Sequence, residues 1–150
     1  MAMTSRQTEI STVVGYIAAN AGATASSPWL SDAISLDCDT ARRLVAYINV
    51  GTIGSSSTVD AKFQYATASG GTYNDITNTA MTQDTTGSHV HQTEVLVENI
   101  YNNYPTAKWV KLRVAIAVAA TPFSATIVGF DPAHYPVSAG ADVGTTTVYP

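Results

Sequence analysis

The chain has 150 residues, a formal net charge of −4 and a pI near 5.1, and its seven basic residues are scattered apart from Arg42-Arg43, which argues against a nucleic-acid-binding surface. Cys38 is the one cysteine, which excludes an intramolecular disulfide and a cysteine-based zinc site. Only 12% of residues are charged against about 25% in an average soluble domain, and the abundance of Thr, Ser, Ala and Gly suits strands and tight turns; one domain of this length buries roughly 70% of its extended surface.

Residues 1–30 read as an N-terminal arm with one strand: apolar alternation runs over residues 10–17, and a small-residue tract over 18–27 ends at Pro28. Residues 13–25 have the outline of a signal peptide, but Glu9 precedes them and Arg6 alone supplies positive charge, so synthesis and folding in the cytosol are expected. No apolar run approaches the ~20 residues of a membrane span, and no membrane partner is expected. Residues 33–36 form a short strand that enters a turn at 37–40. Cys38 lies in that turn between Asp37 and Asp39, whose charges disfavour a reactive thiolate.

Residues 43–50 make a strand with Leu44, Ala46, Ile48 and Val50 on one face and Val45 and Tyr47 on the other, so both faces are at least partly covered. A glycine- and serine-rich loop, 51–57, leads into residues 58–76, which read as one β-hairpin. Val59, Ala61, Phe63 and Tyr65 face one way and Asp60, Lys62 and Gln64 the other; Ser69-Gly70-Gly71 supplies a turn in which glycine takes positive φ; Tyr73 and Ile76 resume the apolar face. Residues 77–88 are polar and loop-like, 89–97 alternate, and 99–106 form a turn around Pro105. Residues 108–119 are the longest apolar-rich run, with Val110, Leu112, Val114, Ile116 and Val118 sharing a face, and β-branching favours a strand. Thr121-Pro122 breaks it, and 123–130 returns as its partner.

About eight strands at short spacing predict an all-β chain: a single β-sandwich or jelly-roll domain over residues 31–130, between the N-terminal arm and a C-terminal arm over 131–150 that holds three prolines.

Chemistry motifs are few. His89 and His91, one residue apart on a strand, share a face, and Glu94 could approach them. The trio resembles the first half of a cupin metal motif, but the glutamate spacing differs and His134 sits in a proline-rich tail, so two polar histidines exposed on a sheet are expected and no metal or other cofactor. No serine lies in a Gly-x-Ser-x-Gly turn, no glycine-rich loop could hold a phosphate, and Asp37 and Asp39 lack the run of oxygen ligands that calcium needs. Asp75, Asp84 and Glu98 are far apart in sequence, and nothing selects a paired-carboxylate hydrolase. The chain is read as a non-enzyme, with no catalytic residues and no small-molecule substrate. Trp109 lies opposite Val110 and Leu112, as a second-face core residue or as a sugar-stacking platform.

Three stretches carry a wider resemblance: AKFQYATASGGTYNDI at 61–76, TAKWVKLRVAI at 106–116 and FSATIVGFDP at 123–132. Together, over roughly residues 40–130, they resemble small β-sandwich virion proteins of tailed bacteriophages, the group that includes head decoration or cement proteins. The resemblance implies a structural protein that binds the major capsid protein on the outside of an assembled head, commonly as a homotrimer at threefold positions. The aromatic-Val-Lys phrase at Trp109 also occurs in galactose-binding-like carbohydrate modules, so a carbohydrate-binding or tail/adaptor module of the virion is the alternative.

The arms fit a docking role. They hold Ile10, Val13, Val14, Tyr16, Tyr135, Val137, Val148 and Tyr149, apolar groups available to pair with a capsid or sister subunit by strand addition. A terminus that completes its own sheet would use the N-terminal ones differently.

Overall fold

The structure is a computed structural model that describes residues 11–20, 28–36 and 41–131. Along these residues run the strands β1 Ser11–Asn20, β2 Trp29–Leu30, β3 Ile34–Ser35, β4 Arg43–Thr52, β5 Thr58–Ala66, β6 Asn74–Asp75 and β7 Gly87–Leu96, the helix α1 Val97–Asn103, and the strands β8 Trp109–Ala117 and β9 Phe123–Phe130. Cys38, with Asp37 and Asp39, lies outside the described residues.

Two antiparallel sheets pack face to face. One has the order β1-β9-β4-β7; the other has β2-β8-β5-β6, with β3 also on β8. The pairing is nested: β1 lies on β9, β2 on β8, β4 on β7 and β5 on β6. A long hairpin rolled over on itself produces this nesting, and it defines a jelly roll. The chain is therefore an all-β sandwich, as its alternation predicts. Residues 11–20 and 29–30, read from sequence as part of an arm, are strands of the sandwich itself.

Alternation is what builds the core. Along β5, Val59, Ala61 and Phe63 are buried; along β8, Val110, Leu112, Val114 and Ile116; along β4, Leu44, Ala46, Ile48 and Val50; along β9, Phe123, Ala125 and Ile127. The polar partners of these residues point outward, as a period of two requires. Val45 is buried and Tyr47 half-buried on the other face of β4, as expected for a strand covered on both sides.

Side chains fill two gaps in the ladders. β2 and β3 lie along the same edge of β8, and Ser31 bridges the break between them: its N–H donates to the Leu112 carbonyl, and its Oγ accepts from the Leu112 N–H, each at 3.0 Å. On the far side of the same sheet β6 is only two residues long. There Thr79 Oγ1 accepts the Phe63 N–H at 3.1 Å and donates to the Ile76 carbonyl at 2.8 Å, standing in for a missing strand. We expect Thr79→Val, which keeps the shape but orphans the buried Phe63 N–H, to cost about 1–3 kcal/mol in urea unfolding, with an unchanged m-value.

Four expectations are corrected. β9 is not the partner of β8: it crosses to the other sheet, between β1 and β4. Val118 is not on the buried face of β8. The strand ends at Ala117, the Ala119 N–H donates to the Ala117 carbonyl, and Val118 sits at φ +70°, 75% exposed, a tight γ-type turn that redirects the chain.

Residues 97–103 are a helix, where the alternating run was expected to continue to 97 and a turn to occupy 99–106. Val97 and Ile100, one turn apart, are buried, and Tyr104 at the next turn stacks on Tyr65 with ring centroids 4.2 Å apart. The hairpin turn closes through a Gly71 N–H to Ala68 carbonyl bond without positive φ at Gly70 or Gly71; among the described glycines only Gly87 has it, at φ +74°.

Candidate functional site

One end of the β1-β9-β4-β7 sheet brings together the start of β1 and the end of β9. Ser11 pairs with Phe130, Phe130 with Arg43, and Arg43 with Leu96, so a single cross-strand row holds the first residue of β1 and the last of β9. The Arg43 guanidinium lies 4.8 Å from the Phe130 ring centroid and 3.8 Å from Glu94 Oε2. Beside the row is a groove of about 530 Å³ whose lining includes Arg42, Leu96, Val97 and Tyr101. Leu96 and Tyr101 are exposed apolar side chains there, and the Tyr101 hydroxyl donates to the Leu36 carbonyl.

Of the residues expected to dock a partner, Val14 is buried in the sandwich, because β1 shifts register between Val13 and Gly15, and it is corrected to a core residue. Val13 is half-buried and Tyr16 is exposed. Ile10, Tyr135, Val137, Val148 and Tyr149 lie outside the described residues, as does His134. Trp109 is half-buried, paired in register with Ala66 and Ser35.

The histidines are placed differently from the sequence reading. His89 and His91 share the face of β7 that carries the buried Thr93 and Val95, and their register partners, Val50 and Ile48, are core residues. They thus face inward at the open end of the sandwich, not outward from a sheet. Glu94 is on the opposite face beside Arg43 and takes no part. The third member is Asp84, from the loop before β7, whose side chain is 2% exposed. Its Oδ2 is 2.8 Å from His91 Nε2 and 3.3 Å from His89 Nδ1.

Asp84 is fixed from every side. Its main chain pairs with Val59 of β5 through bonds of 2.9 and 3.0 Å. Its Oδ1 accepts the N–H groups of Thr86 at 3.0 Å and Gly87 at 2.9 Å. Burial by itself pushes the carboxyl pKa up, but the bonds from Gly87, His91, Thr86 and His89 outweigh it and hold the group well below the usual carboxylate range. A permanent carboxylate thus sits under two imidazoles, tied through its backbone to one sheet and through its side chain to the other.

The sequence signal for Asp84 was an Asx turn, Asp84-Thr-Thr-Gly87, in which the carboxylate receives N–H groups two and three residues on. Compared with known proteins, the chain matches no family model, no curated protein and no solved structure. Among the described residues no helix is long and apolar enough to cross a membrane.

Proposed function

We propose that this protein is a capsid decoration protein of a tailed bacteriophage, bound as a homotrimer to the major capsid protein on the outside of the head and acting without catalysis. The observation that carries the reading is the Ser11–Phe130 pairing, which puts the first residue of β1 and the last of β9 side by side at one corner of the sandwich, beside the groove that exposes Leu96 and Tyr101. In sequence, the segments that adjoin these two residues hold Ile10, Tyr135, Val137, Val148 and Tyr149, apolar groups suited to gripping a partner surface. The wording of residues 61–76, 106–116 and 123–132 supports the same reading through its likeness to phage cement proteins.

The physics of the role is simple linkage. A protein that binds the assembled shell and not its separated subunits adds its binding free energy to what internal DNA pressure must overcome. Three joined copies multiply the effect, because one contact that opens is held near its site by the other two.

Co-sedimentation with expanded, undecorated heads of the same virus tests the reading. Saturable binding is expected, with copies per head matching the threefold or quasi-threefold positions, and absence of binding would overturn it. A chain ending at residue 131 is expected to keep its thermal midpoint and lose at least tenfold in affinity for the heads. Unchanged affinity would move the docking surface away from the C-terminal segment.

A further inference from the structure

We propose that Asp84, His89 and His91 bind one divalent transition-metal ion of the zinc class, and that the ion pins the two sheets together at the open end of the sandwich. The inference is independent of the decoration role. It rests on an arrangement that the sequence did not offer, since the trio legible there included Glu94, which faces away.

The geometry is close to that of a coordinated ion. Each of the three residues offers one ligand atom, and these atoms lie within 4.8 Å of one another. Tetrahedral zinc with bonds of about 2.0–2.1 Å sets neighbouring ligand atoms about 3.3 Å apart. The observed separations from Asp84 Oδ2 are 2.8 Å to His91 and 3.3 Å to His89, and the two histidine ligand atoms lie within 4.8 Å of each other, so the ion is seated by side-chain rotations that even out these distances. An ion there replaces the contacts between each imidazole nitrogen and Asp84 Oδ2, with each neutral imidazole carrying its proton on its other ring nitrogen.

The donor set selects the class of metal. Two imidazole nitrogens and one carboxylate oxygen suit Zn²⁺, Co²⁺, Ni²⁺ or Cu²⁺, whereas Ca²⁺ and Mg²⁺ prefer oxygen alone. The outer support is already present: Thr86 and Gly87 N–H groups occupy Asp84 Oδ1 and leave Oδ2 turned toward the histidines. The His89 side chain is 54% exposed and that of His91 22%, which gives the ion a path in and leaves a fourth position to water.

Asp84 pairs through its backbone with β5 in one sheet while the histidines belong to β7 in the other. The ion would therefore cross-link the layers, and binding to the folded chain alone raises its stability.

Tag-free protein, stripped with chelator, is titrated with Zn²⁺ by calorimetry and melted with and without the ion. We expect one equivalent per chain and a rise in Tm of about 5–10 °C when zinc is a hundredfold above its dissociation constant. His89→Gln and His91→Gln, at rim positions, should keep the metal-free Tm and each weaken binding at least tenfold. Asp84→Asn should also weaken binding at least tenfold, with a lower metal-free Tm, because the two backbone donors and both histidines bond to the carboxylate in the folded chain. Co²⁺ in place of zinc should give visible d–d bands in the wild type that are lost in His91→Gln. Less than a fifth of an equivalent bound by the wild type, or equal affinity in the wild type and His91→Gln, would overturn the site.

Discussion

Phe63→Ala lowers the unfolding free energy by about 3–5 kcal/mol, the largest effect we expect from a single core truncation. Phe63 is fully buried at the middle of β5, and its register partner across the ladder, Leu112, is fully buried too. Removing the ring strips dispersion contacts from the facing sheet, and nothing nearby can collapse to replace them: the Phe63 carbonyl bonds to Ile76 and its N–H to Thr79, which pins the backbone where it is. At about 2–4 °C per kcal/mol for a chain of this size, the thermal midpoint should fall by roughly 6–20 °C. Phe63→Leu, closer in volume, should cost no more than about 1.5 kcal/mol. Equal losses for the two substitutions would mean that the backbone bonds, and not the ring, carry the position.

Gly87→Ala is expected to cost about 2–5 kcal/mol. Two effects add. The left-handed backbone at φ +74° disfavours any L side chain by about 1–2 kcal/mol, and forcing a methyl into packed structure costs about 1–3 more. Here the overlap is with main chain, not with a side chain that could swing aside: a Cβ would lie 2.3 Å from the Gly51 carbonyl oxygen and 2.7 Å from the Ile53 nitrogen. The Gly87 N–H also holds Asp84, so the histidine cluster should loosen at the same time. Gly70→Ala makes the contrast. A Cβ there meets nothing within 4 Å and the backbone is not left-handed, so its effect should stay within about 0.5 kcal/mol. Chemical denaturation of the two variants side by side measures the difference.

The long strands were legible because their side chains alternate without interruption. The inward residues of β4, β5 and β8 could be named from the period alone, and with them the all-β sandwich. Partnership was not legible. A period of two says which face of β9 is buried but not which strand lies beside it, and the adjacency of 108–119 to 123–130 in sequence suggested a hairpin where the chain changes sheets. Nor could Val118 be placed, since its apolar character continues the pattern of β8 for one step after the backbone has turned away. In 97–103 the asparagines and the following Pro105 read as a turn; only two buried side chains, Val97 and Ile100, mark the helical spacing.

The histidine cluster shows the same limit. Two of its three members were visible as a one-residue spacing, but Asp84 reaches them through a loop held against β5 by the Met81 and Asp84 main-chain bonds, a tertiary placement that its Asx turn does not announce. Val14 is similar: a register shift in β1, not its hydrophobicity, decides that it faces the core and not a partner.

The nested pairing of the strands governs how the molecule comes into being. Because β1 lies against β9 and β2 against β8, the first of the described strands finds its neighbour only when the last of them has left the ribosome. Contact order is therefore high, and folding belongs in the slow range of millisecond-to-second β-proteins. Until β9 arrives, β1 and β4 each present a bare hydrogen-bonding edge, so nascent or truncated chains that stop before Phe123 are the forms exposed to aggregation.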